Sequence, residues 1–282
     1  MRVGLVLGSG GARGLAHIGV VDELRARGHS VTAIAGSSMG ALVGGVVATG
    51  KCEDFKGFML GVTRSDVVRH LDPMVRAPGL LRGRRMIEAV RDVIGDPRIE
   101  DCAIPFTAVA SDLVNRREIW LTSGSMLMAI RASIAIPVMF TPIMVGGRLL
   151  ADGGVLDPLP VDALAGREFD VSVGVSLFGR LGRPVIEPFE AGEADETGRA
   201  HEEMAAGGWE RLPSGFDLSK AGLLALEVME AEIQRAHLAT ARPDVLVEIP
   251  ADASTFLEFD QASRLIDLGR SLAAAAFDTA GL

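Results

Sequence analysis

Ser38 stands in the run Gly36-Ser37-Ser38-Met39-Gly40, between the apolar stretches Val31–Ala35 and Ala41–Ala48. A Gly-x-Ser-x-Gly pattern between a strand and a helix makes a sharp turn, and Gly36 and Gly40 admit backbone that a Cβ would crowd. The turn lifts the serine hydroxyl from the sheet edge to the start of a helix, where backbone N–H groups favour negative charge. That is the setting of a nucleophile for acyl transfer. The remaining residues must supply a group that takes its proton.

A second glycine run, Gly8-Ser9-Gly10-Gly11-Ala12-Arg13-Gly14, allows three readings. A dinucleotide fingerprint needs glycine where Arg13 stands and an acidic residue after the second strand, and Gly28–Gly40 has neither Asp nor Glu. A phosphate-binding loop needs Lys-Ser/Thr after its last glycine, which is missing here. The third reading is an oxyanion hole: Gly10 and Gly11 let backbone N–H groups converge beside the helix that begins near Arg13. A plain turn from strand to helix is the alternative.

The proton acceptor has imidazole and carboxylate candidates. His17 falls in the first helix, His29 in a turn, His70 in a loop beside Asp72, His201 in an acidic stretch and His237 on a long helix. None is framed by glycines at a strand end, so each is expected to be structural or on the surface. A Ser-Asp-His triad through His201 or His237 would need more strands ahead of Ser38 than the two available. Asp152 ends a strand and precedes Gly153 and Gly154, which leave its carboxylate free to approach another loop. Alone, Asp-Gly-Gly is an ordinary turn. In one sheet with the serine elbow and the glycine loop, it points to a Ser38–Asp152 dyad without an imidazole. A carboxylate of ordinary pKa, about 3.9, is a weak base for a hydroxyl. The dyad therefore requires burial of Asp152 and strong oxyanion stabilisation.

The elements that carry these groups follow from periodicity and punctuation. Arg2–Leu7 reads as a buried parallel strand, Leu15–Arg27 as an amphipathic helix closed by Gly28, and Ser30–Ala35 as the second strand. This β–loop–α–β–elbow–α order opens a parallel sheet with helices on its faces. Cys52–Gly95 reads as helices and loops, with Arg84–Ile94 the clearest helix. Pro105–Asp112 and Arg117–Leu121 form a strand pair, and Ser123 caps a helix through Met126–Ser133. Gly146-Gly147 joins Pro142–Val145 to Arg148–Ala151 as a hairpin. A strand over Asp170–Leu177, a helix over Leu218–Ala239, a strand over Asp244–Ile249 and a helix over Asp260–Ala280 complete the chain. Gly179–Asp217 is acidic and broken by glycine and proline, an insertion within one domain spanning 1–282.

Composition narrows the partners. The chain has 282 residues, a net charge of −9, 5% aromatics and no tyrosine, which disfavours nucleic acid. Cys52 and Cys102 are expected as free thiols. Ser30–Gly50 carries no charge, but its five glycines fit strand, turn and buried helix better than a membrane span. Met1–Gly14 has no leader pattern, so the expected location is cytoplasmic, with at most peripheral contact to the inner membrane.

The glycine loop, the Gly36–Gly40 elbow, Arg131-Ala132-Ser133-Ile134-Ala135-Ile136-Pro137 and Asp152-Gly153-Gly154 together resemble the blocks of the bacterial patatin-like phospholipase family. The resemblance covers roughly Val3–Leu177 and fades through Ile249. It implies a three-layer α/β/α fold with a mostly parallel central sheet, and hydrolysis of lipid acyl esters through an acyl-enzyme, without metal or cofactor. By position it makes Ser38 the nucleophile and Asp152 the base, with Gly10, Gly11 and the N–H of Ala12 or Arg13 in the oxyanion hole. Gly36, Gly40, Gly153 and Gly154 support that geometry. Ser9 stands where many relatives have glycine, and Asp157 where asparagine is frequent. The implied substrate is a phospholipid or lysophospholipid, met by transient membrane-surface contact. The alternatives are a small-ester or thioester hydrolase with the same dyad, and a regulatory binding protein of low turnover. Arg76, Arg82, Arg84 and Arg85 could greet a lipid phosphate or form a solvated face. Met126, Met128, Met139 and Phe140 could line an acyl channel or belong to the core. Trp209 and Phe216 could cover the site.

Overall fold

The computed structural model describes residues 1–70, 81, 83–180 and 216–282. Its centre is one eight-stranded sheet: β1 (Arg2–Leu7), β2 (Ser30–Ser37), β3 (Phe106–Asp112), β4 (Arg117–Leu121), β5 (Ile143–Val145), β6 (Arg148–Asp152), β7 (Val171–Gly179) and β8 (Val245–Pro250). The path across the sheet is β5-β6-β3-β2-β1-β7-β8, with β4 also paired to β3. The β3-β2-β1-β7-β8 core is parallel, and the pairs of β3 with β4 and β6, and of β5 with β6, are antiparallel.

Alternation along the strands decides what each face buries. Val3, Leu5, Leu7, Ile34, Phe106, Val173 and Val175 point to one side and form the main core. Helices α1 (Ala16–Ala26), α2 (Met39–Ala48) and α8 (Ala262–Ala280) bury Ile18, Val21, Leu24, Val43, Val46, Leu265 and Ile266 in it. Helices α3 (Cys52–Leu60), α5 (Arg84–Ile94) and α6 (Met126–Ser133) extend that core through Phe55, Val90 and Ile130. Val6, Ala33, Ala35 and Val109 face the opposite way, under Leu159, Ala163, Leu164 and Leu238, the last residue of α7 (Leu218–Leu238). The second outer layer is therefore thinner than the first, because small strand residues meet a loop, a short 3-10 turn and one helix.

The expected elements are present, several of them with shifted ends. The first helix opens as a 3-10 turn over Gly11–Leu15, so the glycine loop runs into the helix without an extended linker. Ser125, not Ser123, caps α6: its Oγ accepts the Met128 N–H at 3.1 Å. His70 ends a helix, α4 (Arg64–His70), rather than lying in a loop. Gly146 and Gly147 both take positive φ, 56° and 76°, as a tight hairpin turn requires. Ser30–Gly50 is β2, the elbow and α2, and no helix among the described residues is long and apolar enough to cross a membrane. Cys52 and Cys102 are free thiols. Most of the acidic insertion, residues 181–215, lies outside the described residues, with His201 and Trp209; so do Arg76 and Arg82.

Candidate active site

β2 ends at Ser37 and α2 starts at Met39, leaving Ser38 alone to turn the chain, at φ 55° and ψ −122°. A non-glycine residue in that region carries about 1–3 kcal/mol of strain and persists only where its surroundings over-determine it. Here they do. The Ser38 N–H donates to Ser133 Oγ at 2.9 Å, and Ser133 Oγ donates to the Val109 carbonyl at 2.5 Å. Ser37 Oγ donates to the Asp157 carbonyl at 2.6 Å. A Cβ on Gly40 would overlap the Leu7 carbonyl, and one on Gly36 would overlap Gly40, so the turn closes only with glycine at both places.

Asp152 reaches this turn through strand register. Ser37 of β2 pairs with Val109 of β3, and Asp152 of β6 pairs with the next residue, Ala110. β4 pairs with β3 from Ala108 to Asp112, so β2 and β6 share the other edge and meet end to end. Ser38 Oγ accordingly donates to Asp152 Oδ2 at 2.6 Å, and the Gly154 N–H donates to Oδ1 at 2.7 Å. Both side chains are buried, Ser38 at 2% exposure and Asp152 at 1%. Burial raises the Asp152 pKa to about 7, against the opposing pull of the Ser38 hydroxyl and the Gly154 N–H. Its carboxylate is thus a much stronger base than an exposed one, as the sequence-based dyad requires.

The glycine loop lies against both groups. Gly10 adopts φ 149° and Gly11 φ 59°, and among the described residues neither N–H donates to another group. Gly11 and Ser38 line the same cavity. Ala12 departs from its expected role: its N–H donates to the Phe256 carbonyl at 3.0 Å and is not available to an oxyanion. The Arg13 side chain, 1% exposed, anchors the loop by donating to the Ala251 carbonyl at 2.6 Å and to Glu227 Oε1 at 2.7 Å. Ser9 Oγ donates to Glu230 Oε2 at 2.8 Å. Both glutamates are on α7, so that helix holds the loop at two points.

The described histidines stand apart from the dyad, whose two oxygens bond directly. His17 is fully buried and its Nε2–H donates to the Gly8 carbonyl at 2.9 Å; burial lowers its pKa to about 4, which keeps it neutral. His237 Nδ1 lies 3.3 Å from Asp157 Oδ1, and His29 Nδ1 lies 3.4 Å from the N-terminal amine. Burial first, then the Glu118 carboxylate, raises the Asp157 pKa to about 8. No group of three or more metal-ligating side chains occurs among the described residues.

Above Ser38 the lining turns apolar. Met39, Leu42, Ile134, Ile136, Met139, Phe140, Phe256, Leu257 and Phe259 enclose the cavity that holds Ser38 and Gly11. Met39, Leu42, Met86, Phe140, Leu257 and Phe259 also line a second cavity, which continues to Phe55, Phe58, Met59, Val62 and Val67. Met139 and Phe140 belong to a buried apolar cluster and also line the cavity, so both readings open in the sequence apply to them. Met126 is instead in the core, and Met128 is half exposed beside Arg84. Arg84 pairs with Glu88, and Arg85 donates to the Arg69 carbonyl.

Ser133, Glu227 and Glu230 were not singled out by the sequence. Ser133 lies within the Arg131–Pro137 segment that carries the family resemblance, a signal that could have found it. The two glutamates sit three apart on one helix with no local pattern to mark them.

A family model for patatin-like phospholipases matches residues 5–165. An NTE family protein of Mycobacterium tuberculosis is 39% identical, over 98% of this chain and 91% of its own length. A lysophospholipase, NTE1, of Mycosarcoma maydis is 31% identical over 74% of this chain, a span that is 11% of that protein. VipD from Legionella pneumophila is a solved structure with a TM-score of 0.47 at 14% identity, covering 99% of this chain and 66% of VipD. The matched residues 5–165 hold the glycine loop, the elbow and Asp152, and the chain belongs to the patatin-like phospholipase family.

Proposed function

We propose that the protein is a serine acyl hydrolase, one domain over residues 1–282, that cleaves single-chain lipid acyl esters such as lysophospholipids. The observation that carries this reading is the direct Ser38 Oγ–Asp152 Oδ2 hydrogen bond of 2.6 Å, inside a site that raises the carboxylate's basicity. Asp152 takes the hydroxyl proton as Ser38 Oγ attacks the ester carbonyl carbon. The carbonyl oxygen gains the charge and meets the Gly10 and Gly11 N–H groups. A single such donor is commonly worth ~10²–10³ in rate. The tetrahedral intermediate collapses as Asp152 returns the proton to the departing alcohol, leaving the acyl group on Ser38. Asp152 then deprotonates a water that attacks the acyl-enzyme, the bond between the acyl carbon and Ser38 Oγ breaks, Asp152 returns the proton to Ser38 Oγ, and the fatty acid leaves.

Substrate class rests on the apolar channel. It begins at Ser38 and continues through Met39, Leu42 and Phe140 to Phe55 and Met59, which suits one acyl chain. The Mycosarcoma maydis relative is a lysophospholipase, which agrees with that reading.

The test is labelling with a fluorophosphonate, followed by hydrolysis of a lipid panel with the products identified by mass spectrometry. Labelling that vanishes in Ser38→Ala, with fatty acid released from lysophospholipids, is expected. Folded protein that takes no label would favour a binding protein on this fold.

A further inference from the structure

Glu230 is a buried carboxyl, 7% exposed, that the reaction above leaves without a task. It projects from α7 into the wall of the site, where its Oε2 accepts the Ser9 hydroxyl at 2.8 Å. The same carboxyl packs on Gly154: a Cβ there would lie 2.7 Å from Ser9 Oγ and 2.9 Å from Glu230 Cδ and Oε1. Gly154 in turn gives its N–H to Asp152 Oδ1. Glu230 thus touches both the loop that presents Gly10 and Gly11 and the residue that orients the base.

The groups that face it come from three elements. Asp152 faces it from the end of β6, Arg13 and Ser9 from the glycine loop, and Glu227 from its own helix. Arg13 is already committed to Glu227 and to the Ala251 carbonyl. Two carboxylates so close in a dry site do not both ionise readily.

We propose that Glu230 is a positioning residue: it ties the oxyanion loop to α7 through Ser9, and it must be neutral while acyl transfer proceeds, so that its ionisation turns the site off. The inference rests on the hydrolase reading and goes beyond it. When Ser38 attacks, negative charge leaves Asp152 and appears on the substrate oxygen beside the glycine loop. A neutral Glu230 leaves that charge to the loop's N–H groups. An ionised Glu230, hydrogen-bonded to Ser9 of the same loop, repels charge that gathers there in a medium that screens poorly. The hydrogen bond to Ser9 survives either state, because a hydroxyl can donate or accept.

Burial, then the charge of Asp152, raises the Glu230 pKa to about 8. Burial holds both carboxyls well above the ordinary range, so the pair loses its protons in two separate steps, and the active window lies between them. The test is the pH dependence of kcat and KM for a soluble acyl ester in the wild type, Glu230→Gln and Ser9→Ala. The wild-type rate is expected to fall above about pH 8, leaving about one-tenth of its plateau one pH unit higher. Glu230→Gln keeps an acceptor for Ser9 but cannot ionise. Relative to its own plateau, it should lose that fall, a roughly tenfold gain at pH 9 over the wild type. Ser9→Ala removes a hydrogen bond that favours the ionised carboxyl. It should lower kcat with little change in KM and move the fall to higher pH. An unchanged alkaline fall in Glu230→Gln, or wild-type kcat in Ser9→Ala, overturns the proposal.

A second readout does not depend on catalysis. The folded pKa of Glu230 lies above its ordinary value, so its contribution to stability is full below that value and is lost as pH rises through about 8. The wild-type Tm minus the Glu230→Gln Tm should therefore decline from pH 5 to pH 8.5. A constant difference overturns the neutral carboxyl even if the protein hydrolyses nothing. Wild-type protein that neither hydrolyses esters nor takes a fluorophosphonate, with the Tm difference declining as expected, removes the hydrolase reading alone.

Discussion

Ser37 and Asp152 pair with consecutive residues of one strand, Val109 and Ala110, and so end two antiparallel neighbours that meet head to head. That register brings Ser38 and Asp152 together across 114 residues of sequence. Both strands end at that junction: Ser38 follows the last residue of β2, and Asp152 is the last residue of β6. A one-residue shift in the β2–β3 pairing would displace Ser38, and one in the β3–β6 pairing would send Asp152 to the other face of the sheet.

Gly40→Ala places a methyl on the Leu7 carbonyl, which is backbone and cannot swing aside. Overpacking of this kind costs about 1–3 kcal/mol or more. Denaturant unfolding should show a loss of at least that size, with hydrolysis gone. Full stability would mean that β1 and α2 do not approach as closely as described.

Ser133 is the residue that fixes the strained Ser38 backbone, so Ser133→Ala should harm both stability and rate. Leaving the buried Ser38 N–H without an acceptor costs about 1–3 kcal/mol. The variant should bind substrate with nearly unchanged KM and a lower kcat, because the nucleophile loses its orientation. Wild-type kcat in a folded Ser133→Ala would assign Ser133 a packing role only.

The acid limb of the rate profile should belong to Asp152. Its pKa is raised by burial, so the base form is lost as pH falls through about 7, and kcat/KM should fall tenfold for each unit below. Stability carries the opposite slope. With a folded pKa above the unfolded value, the contribution of Asp152 is full below about pH 4 and is lost as pH rises through 7. The Tm of Asp152→Asn relative to wild type should therefore improve between pH 4 and pH 8. A half-maximal rate at pH 4 to 5 would show an ordinary, solvated carboxylate.

Chain-length preference should reside beyond Leu42. Ala89 lines the far part of the apolar channel and not the part at Ser38. Ala89→Trp should block the far part while leaving short esters a place to bind. At about 0.8 kcal/mol per buried methylene, losing three or four of them lowers the long-to-short ratio of kcat/KM by roughly 50- to 200-fold. An unaltered ratio would send the acyl chain elsewhere.

Much of this site was legible from local signals, and the rest was not, for physical reasons. The elbow, the glycine loop and the hairpin at Gly146-Gly147 announce themselves because tight turns demand particular residues at fixed offsets. α5 and β4 begin and end where the sequence reading places them. Ser125 displaced Ser123 as the cap of α6 because capping depends on where the backbone turns, and both serines satisfy the composition rule. Ala12 looked like a donor until the Phe256 carbonyl, far along the chain, claimed its N–H. Glu230 meets Ser9 across 221 residues, and a helix position gives no hint of such a partner. Long-range hydrogen bonds are properties of the packed fold rather than of any window of sequence.

The central claim is that Asp152 itself takes the Ser38 proton, and the decisive measurement is ester hydrolysis by Asp152→Asn, with its fold checked by circular dichroism and Tm. General-base catalysis contributes about 10²–10⁴ in rate, so a loss in that range or larger is expected, while substrate binding persists. A folded Asp152→Asn that hydrolyses acyl esters near the wild-type rate, or a His237→Ala that does not, would contradict it.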